Sequence, residues 1–339
     1  MKRILILTAI LIFAFSYGQT PITDANFSEA ISTCLSTNPI DGMCSESEYG
    51  AIPDWDVSNV TDMDSAFYDR NDFNADISAW DVSNVTNMQG MLYEAYEFNQ
   101  PIGDWDVSNV TNMEAMFFDA SSFNQPIGNW DVSSVTNMRY MLFYADSFNQ
   151  PIEDWDVSNV TNMQWMLCAA YFNQPIGVWD VSNVTDMSNM LNTTFYFNQP
   201  IGDWDVSNVT NMQGMLAGAF EFNQDISNWC VTNITSEPTY FSSGSPLIEI
   251  NKPVWGTCPS LGIDDLNQLD ISIYPNPTSD KLYIDGLVVQ DVIIYSVLGK
   301  EVVKISNQNS IDVSSLSKGV YFIKVSDGIN ASIKKFIKD

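Results

Sequence analysis

The chain has 339 residues and a formal net charge of −29, from 42 acidic side chains against 13 lysines and arginines. A surface this acidic repels nucleic-acid phosphates and anionic lipid, so neither is expected as a partner. The sequence contains no histidine, which removes the commonest general base and the commonest metal ligand. No catalytic, cofactor-binding or metal-binding residue is expected.

The first residues read as an address. Lys2 and Arg3 precede an apolar run from Ile4 to Phe15, followed by Ser16-Tyr17-Gly18. A charged start, an apolar run too short to cross a bilayer comfortably and small residues at its end describe a signal peptide over residues 1–18, cleaved after Gly18. No later segment is apolar enough to be transmembrane. Residues 19–50 form an N-terminal cap that holds Cys34 and Cys44, while Cys230 and Cys258 follow the central region. Pairing within each couple would tie down the two ends where fraying is easiest, and other pairings are open to the sequence. Cys168 is left over.

From residue 51 to residue 235 one phrase recurs, as in "FNQPIGDWDVSNVTNM" at 98–113. Trp55, Trp80, Trp105, Trp130, Trp155, Trp179, Trp204 and Trp229 are spaced by 25, 25, 25, 25, 24, 25 and 25 residues. A fixed period in this range builds a solenoid, in which each unit buries its apolar face only against its neighbours. Ile102, Trp105 and Val107 have strand character, and Val110, Met113, Met116 and Phe117 recur at helical spacing. The expected fold is an α/β solenoid of eight leucine-rich-like units of about 25 residues, each with one short strand and one short helix. The recurring threonines, Thr111 among them, are placed as helix N-caps, with Thr111 and Glu114 as a capping box. The asparagine column of Asn74, Asn99 and Asn124 is suited to bonding from unit to unit.

Two features could suggest chemistry. The "DWD" pairs, such as Asp104 and Asp106 around Trp105, could hold calcium, but an Asx turn made by the second Asp explains them without a metal. Paired acids could also suggest a glycosidase, yet these pairs recur along the chain, whereas a catalytic site is a local exception. The informative positions are those that differ between units. Tyr93, Tyr96, Phe118, Tyr140, Tyr144, Trp165 and Tyr171 fall there, mixed with acids such as Glu94, Asp119 and Asp146. They are the candidate partner-binding residues; the plainer alternative is that they only cover the core.

The phrase "WDVSNVTNM" with its following "ML" and "FNQPIG" resembles the BspA-like leucine-rich repeats of bacterial surface proteins. The likeness runs over residues 51–235, and the segment before it is similar to the caps of that group. Trp, Met and Phe replace Leu at many core positions. The resemblance implies surface display and attachment to proteins or cells; it implies no catalysis and names no ligand.

After a cap and linker at 236–263 the composition changes. Residues 264–339 carry 8 lysines against 10 acids, whereas 51–235 carry only Arg70 and Arg139 against 25. Short alternating stretches such as "DKLYIDG" and "GVYFIKVSDG" predict a small all-β sandwich. Tyr274-Pro275-Asn276-Pro277, Leu298-Gly299-Lys300-Glu301-Val302, Ile311-Asp312-Val313-Ser314, Gly319-Val320-Tyr321 and Lys334-Lys335-Phe336-Ile337-Lys338 resemble the type A C-terminal sorting domain of type IX secretion. The resemblance implies a Bacteroidetes-type bacterium, the type IX machinery as a partner, and delivery to the cell surface or medium once this domain is removed. The function expected is binding of an extracellular protein, cell or glycan through the repeats; the alternative is a spacer or coat protein without a specific ligand.

Overall fold

The computed structural model describes residues 19–259, 271–286, 289–297, 300–328 and 331–339. The signal peptide at 1–18, part of the linker, and Gly299 of the sorting signal lie outside the described residues. The chain forms two compact units, Met1–Cys258 and Pro259–Asp339.

The first unit opens with α1, Phe27–Leu35, which buries Phe27, Ala30, Ile31, Cys34 and Leu35. These positions make one apolar stripe at helical spacing. Beyond it the expected α/β solenoid is not what forms. Among the described residues α1 is the one α-helix, and no coil of the repeat contains another. The amides show why. In the coil at 88–98, Met88, Gly90, Leu92 and Glu94 donate to the carbonyls of Asn112, Glu114, Met116 and Phe118 in the next coil at 2.7–3.0 Å. The alternate amides of Met91, Tyr93 and Ala95 close turns onto Met88, Gly90 and Leu92 at 3.1–3.2 Å. An α-helix directs each amide to the carbonyl four residues back, and a segment that sends every second amide to its neighbour cannot be one. Gly90 and Glu94, at φ +56° and +54°, repeatedly turn the chain out of right-handed geometry. The spacing of Met113, Met116 and Phe117 suggested a helix, yet linked turns also set these buried residues on one side.

The expected strand is also reduced and displaced. Parallel pairing occurs as isolated bridges at Asp62, Asn87, Asn112, Asn137, Asn162, Asp186 and Asn211, one residue per coil. The stretch around Ile102–Val107 is turn instead, with the Trp105 amide on the Ile102 carbonyl at 3.2 Å. The threonines are therefore not helix caps. Thr111 donates its amide to the Thr86 carbonyl at 2.9 Å and its hydroxyl to the same oxygen at 3.2 Å. Glu114 leaves the supposed capping box and pairs with Arg139.

The core is a set of columns. Trp, Met, Phe, Ile and Val of successive coils are buried against one another. Phe73, Phe98, Phe123, Phe148, Phe172, Phe197 and Phe222 stack with centroids 5.9–6.4 Å apart. Each buried indole needs an acceptor. Trp105 donates to the Ile77 carbonyl at 3.2 Å, Trp130 to Ile102 at 3.1 Å and Trp155 to Ile127 at 3.0 Å. The polar columns work the same way. Asn74 Oδ1 accepts the Asn99 amide at 3.0 Å and the Gln100 side-chain amide at 2.8 Å. Asp106 accepts the Ser108 amide at 3.1 Å and hydroxyl at 2.6 Å, which is the Asx turn. Gly103 is required by closeness: a Cβ there would stand 2.2 Å from the Pro126 carbonyl oxygen.

Both ends are closed. The first coil lacks a preceding threonine carbonyl, and Asp24 replaces it. Its carboxylate accepts the Thr61 amide at 2.7 Å, the Thr61 hydroxyl at 2.8 Å and the Asp62 amide at 3.2 Å. Cys34 is joined to Cys44 and Cys230 to Cys258, the latter where Val231 donates to the Thr257 carbonyl at 2.8 Å. Cys168 is a buried free thiol, pushed up to about 12 by that burial.

Among its described residues the second unit has seven strands: β1 Ser272–Tyr274, β2 Lys281–Asp285, β3 Asp291–Ser296, β4 Glu301–Ser306, β5 Ser310–Asp312, β6 Gly319–Ser326 and β7 Ala331–Lys338. They form two antiparallel sheets, β1-β2-β5 and β4-β3-β6-β7. Leu282, Ile284 and Ile311 of the first pack with Val292, Ile294, Ile323, Val325 and Phe336 of the second. The sandwich read from period-two alternation is present.

Removing one Trp from the core column leaves a cavity and frees an inter-coil carbonyl. Trp155→Ala is expected to lower stability by about 3–5 kcal/mol, read as a shift of the chemical unfolding midpoint of the disulfide-bonded protein.

Candidate partner-binding edge

Turns replace the expected helices along one edge of the stack, and this sets the positions of the variable aromatics. Tyr68, Tyr93, Phe118 and Phe143 occupy one position in successive coils. Their rings stack at 4.4, 4.2 and 4.6 Å between centroids. Tyr140 and Trp165 rise from the position three residues earlier. They lie 6.2 Å apart, and Phe143 meets each of them edge-on, at 5.5 and 5.6 Å. Tyr144 adds a further edge contact to Phe143 at 4.5 Å and is 47 % exposed. A second group follows, in which Tyr171 lies 5.8 Å from both Phe195 and Tyr196, and Phe195 lies 5.4 Å from Phe220. All the candidate residues stand outside the buried columns, Tyr93, Tyr96, Phe118, Tyr140 and Trp165 half-buried and Tyr144 and Tyr171 exposed.

The period made more of this legible than the sequence reading used. Tyr68, Phe143 and Phe195 belong to the same band, and counting 25 residues back from Tyr93 or forward from Phe118 reaches the first two. Arg139 was also missed. Its guanidinium lies 4.6 Å from the Tyr140 ring centroid, donates to Glu114 Oε1 at 3.2 Å and to Gln164 Oε1 at 2.7 Å.

Backbone geometry singles out three of these residues. Tyr140, Tyr144 and Trp165 adopt φ of +58°, +55° and +59°. The same turn positions in other coils hold smaller residues: Gly90, Gly214 and Gly218, which take that conformation without steric cost, and also Ser65, Asp69, Glu94, Ala115, Asp119, Ala169, Asn189 and Thr193. A bulky L-residue there costs of order 1 kcal/mol or more.

Between Ala115 and Tyr140 the edge opens into a groove of about 440 Å³ lined by Tyr93, Glu114, Ala115, Phe118, Tyr140, Phe143 and Trp165. Ala115 is the small member of the column that Tyr140 and Trp165 fill in the next coils, which leaves the space in front of Tyr140 open. Carboxylates run beside the rings. Burial, then repulsion from Glu94 and Asp146, raises the Asp119 carboxyl, and burial raises that of Asp146. Burial, followed by Tyr68 and Glu94, pushes the Tyr93 phenol up to about 12. Glu94 Oε2 accepts the Tyr96 hydroxyl at 3.3 Å. Among the described residues no three or more His, Cys, Asp or Glu side chains are grouped so as to hold a metal ion.

Among the described sorting-signal residues, the Tyr274–Pro277 segment meets β7. Asn276 donates from its side chain to the Lys335 carbonyl at 3.1 Å and accepts the Ile337 amide at 2.9 Å. This ties the Tyr274–Pro277 segment to β7. Tyr274, Pro275, Pro277 and Lys335 remain exposed and Lys334 half-buried. Tyr321 is buried on Phe336 at 5.6 Å and donates its hydroxyl to the Ser317 carbonyl at 2.9 Å. Gly319 begins β6.

Residues 39–155 and 143–250 match the family described as Mycoplasma protein of unknown function, DUF285. The chain belongs to this family. Residues 272–339 match the secretion system C-terminal sorting domain. No curated protein matches the chain. The sorting domain assigns the protein to type IX secretion, with delivery to the cell surface or the extracellular space. Among the described residues no helix is long and apolar enough to cross a membrane.

Repulsion within the carboxylate row has a measurable sign. A carboxyl raised in the folded state favours folding when protonated and opposes it as pH rises through the raised value. Asp119→Asn is therefore expected to stabilise the protein at pH 7, by less than about 1 kcal/mol because the group is largely solvent-screened. The gain should vanish below the ordinary carboxylate value of 3.8. Thermal unfolding at the two pH values measures it.

Proposed function

We propose that this is a BspA-like surface or released protein whose aromatic edge binds an extracellular partner, and that it acts by binding and not by catalysis. The observation that carries the reading is the placement of the large rings of Tyr140, Tyr144 and Trp165 in left-handed backbone, at turn positions that other coils fill with smaller residues, Gly90, Gly214, Gly218, Ser65 and Ala115 among them. A residue needed only to cover the core has no reason to be large at such a position. Selection for the side chain itself accounts for the backbone strain. The continuity of the aromatic band supports the same reading, since half-exposed rings at regular spacing offer large contact area at low entropic cost. The regular acids around the tryptophans support a structural role for those carboxylates, since Asp56, Asp76, Asp106 and Asp131 each accept from a serine two residues on.

Trp165 separates binding from folding. Trp165→Gly gives up ring contacts worth about 0.5–1.5 kcal/mol and releases backbone strain of similar size, so net stability should change by less than about 1 kcal/mol. Affinity for a partner captured from surface extracts should fall roughly thirtyfold, the effect of losing an aromatic anchor worth about 2 kcal/mol. Trp165→Ala should bind as poorly but fold less stably than the glycine variant. If Trp165→Gly destabilises the protein as strongly as Trp155→Ala, the ring is core and this edge is not the binding surface. A separate measurement concerns export. Truncation after Cys258 should leave the repeat body in the periplasm, as shown by fractionation against the full chain; surface delivery of the truncated form in normal amounts would remove the sorting domain from the account.

A further inference from the structure

The outward face of the four-stranded sheet in the sorting unit carries a charge pattern that the fold does not use. Strand alternation sends Val292 and Ile294 of β3, and Tyr321, Ile323 and Val325 of β6, into the core. The residues between them point away from it. Register then sets Lys304, Ile293, Lys324 and Ile333 side by side in one row across β4, β3, β6 and β7. Tyr295, Phe322 and Lys335 continue in the next row. Lys304, Lys324 and Lys335 are exposed, and none of the three is in an ion pair among the described residues. Glu301 ends the second row on β4, three strand spacings or about 14 Å from Lys335. A sheet face that meets only water is polar along its length. This one keeps Ile293, Tyr295 and Phe322 half-buried, and leaves Ile333 37 % exposed, between its ammonium groups. On the other sheet Lys281 of β2 faces Asp312 of β5 in register, so a cation there has its acid within the unit. The chain as a whole carries a charge of −29, yet this face presents three unpaired cations.

We infer that this face is the docking surface by which the sorting unit is held during export, and that it meets a protein of the type IX machinery that presents carboxylates with apolar side chains between them. The charge complementarity has a definite spacing. Lys304 and Lys324 stand two strands apart, about 10 Å, with Ile293 between them. The partner must therefore offer two acids at about that separation around an apolar contact. A lipid surface fits less well. Lysine and isoleucine alternate within the row, whereas a membrane-bound element gathers its apolar side chains onto one continuous face. The inference rests on the assignment of residues 272–339 to the sorting domain and is independent of the aromatic edge. Lys304 and Lys324 lie outside the motifs that carry the sorting resemblance, so they add to the recognition surface residues that those motifs do not mark.

The test uses the full chain produced in a bacterium that has type IX secretion. In Lys304→Gln/Lys324→Gln, surface delivery should fall at least about fivefold, with the protein held in the periplasm. Lys304→Arg/Lys324→Arg, which keeps both charges, should stay within about twofold of the parent. So should Lys281→Gln/Lys318→Gln, which removes two exposed lysines elsewhere in the same unit. Thermal unfolding of the purified full chains checks that the variants are folded. A photo-reactive phenylalanine at position 322, in an otherwise unchanged chain, tests contact directly. It should cross-link to a protein of the secretion machinery, and the adduct should disappear in the Lys304→Gln/Lys324→Gln background. Changing the acids at the cross-linked surface to lysine should restore delivery of Lys304→Glu/Lys324→Glu. Normal delivery of Lys304→Gln/Lys324→Gln would overturn the proposal. Equal loss in both glutamine double variants would do the same, since only the overall charge of the unit would then matter. So would a cross-link to lipid or to the chain's own repeat body in place of a machinery protein. In each of these cases truncation after Cys258 still decides separately whether the sorting unit is needed for export at all.

Discussion

The repeat body depends on the donation of alternate backbone amides to the next coil. In the turn segment, Met88, Gly90, Leu92 and Glu94 give their amides to the coil that follows. Backbone donors buried without partners are costly. The chain must therefore bring a matching carbonyl to the same place about every 25 residues, and the constancy of the repeat follows from that demand. The same rule governs the buried indoles, the threonine hydroxyls and the asparagine and glutamine amides, each of which bonds one coil away. A shared register satisfies all of them together. The coil that is one residue short keeps the Thr161–Thr185 bond at 2.9 Å and the Trp179–Ile152 bond at 3.0 Å.

A stack built this way has two vulnerable ends, since the terminal coils lack a neighbour. At the first end Asp24 supplies by side chain what a preceding threonine carbonyl would have given. Burial raises its carboxyl, but the bonds from Thr61 and Asp62 outweigh that and hold it below its ordinary value. The substitution is chemically apt: one carboxylate meets two amides and a hydroxyl, which a single backbone carbonyl could not satisfy as fully. At the other end the Cys230–Cys258 bond fastens the segment that accepts the last coil's amide. Apolar columns and inter-coil hydrogen bonds hold the interior of the stack, while the ends are further reinforced by side-chain charge and covalent linkage.

How much of this was legible in the sequence depended on which physical signal was read. The tryptophan spacing revealed the repeat and its span, because a buried aromatic column must recur at the period of the fold. The asparagine column and the Asx turns were legible because these side chains bond over short, predictable distances. Secondary structure was not. Met113, Met116 and Phe117 recur at helical spacing, but a chain of linked turns with left-handed residues at Ala115 and Asp119 also buries them together. Periodicity reports which residues share a side; it does not report where their amides go. Glu94, Asp119 and Tyr140 gave no sign in the sequence that they occupy left-handed backbone, because non-glycine residues rarely do so. The sorting unit was easier, since period-two alternation in short strands has fewer competing solutions.

In the interior of the stack every level agrees: residue type, turn geometry, hydrogen bonding and burial favour the same arrangement. Such agreement is what specifies a single fold. The aromatic edge departs from it in three ways. Large rings sit where glycine fits best, like-charged carboxylates face one another, and a groove is left open in front of Tyr140. Each of these departures lowers stability in isolation, and all three fall on the same few coils. The remaining coils show that the repeat can do without them. Gly214 and Gly218 fill the corresponding turn positions in a later coil, and that coil keeps the same core columns and inter-coil bonds. A feature that folding does not require, that costs stability and that recurs in adjacent coils is what the proposed binding role would explain. The sorting unit directs the chain to the surface or the medium, the setting in which the proposed binding would take place.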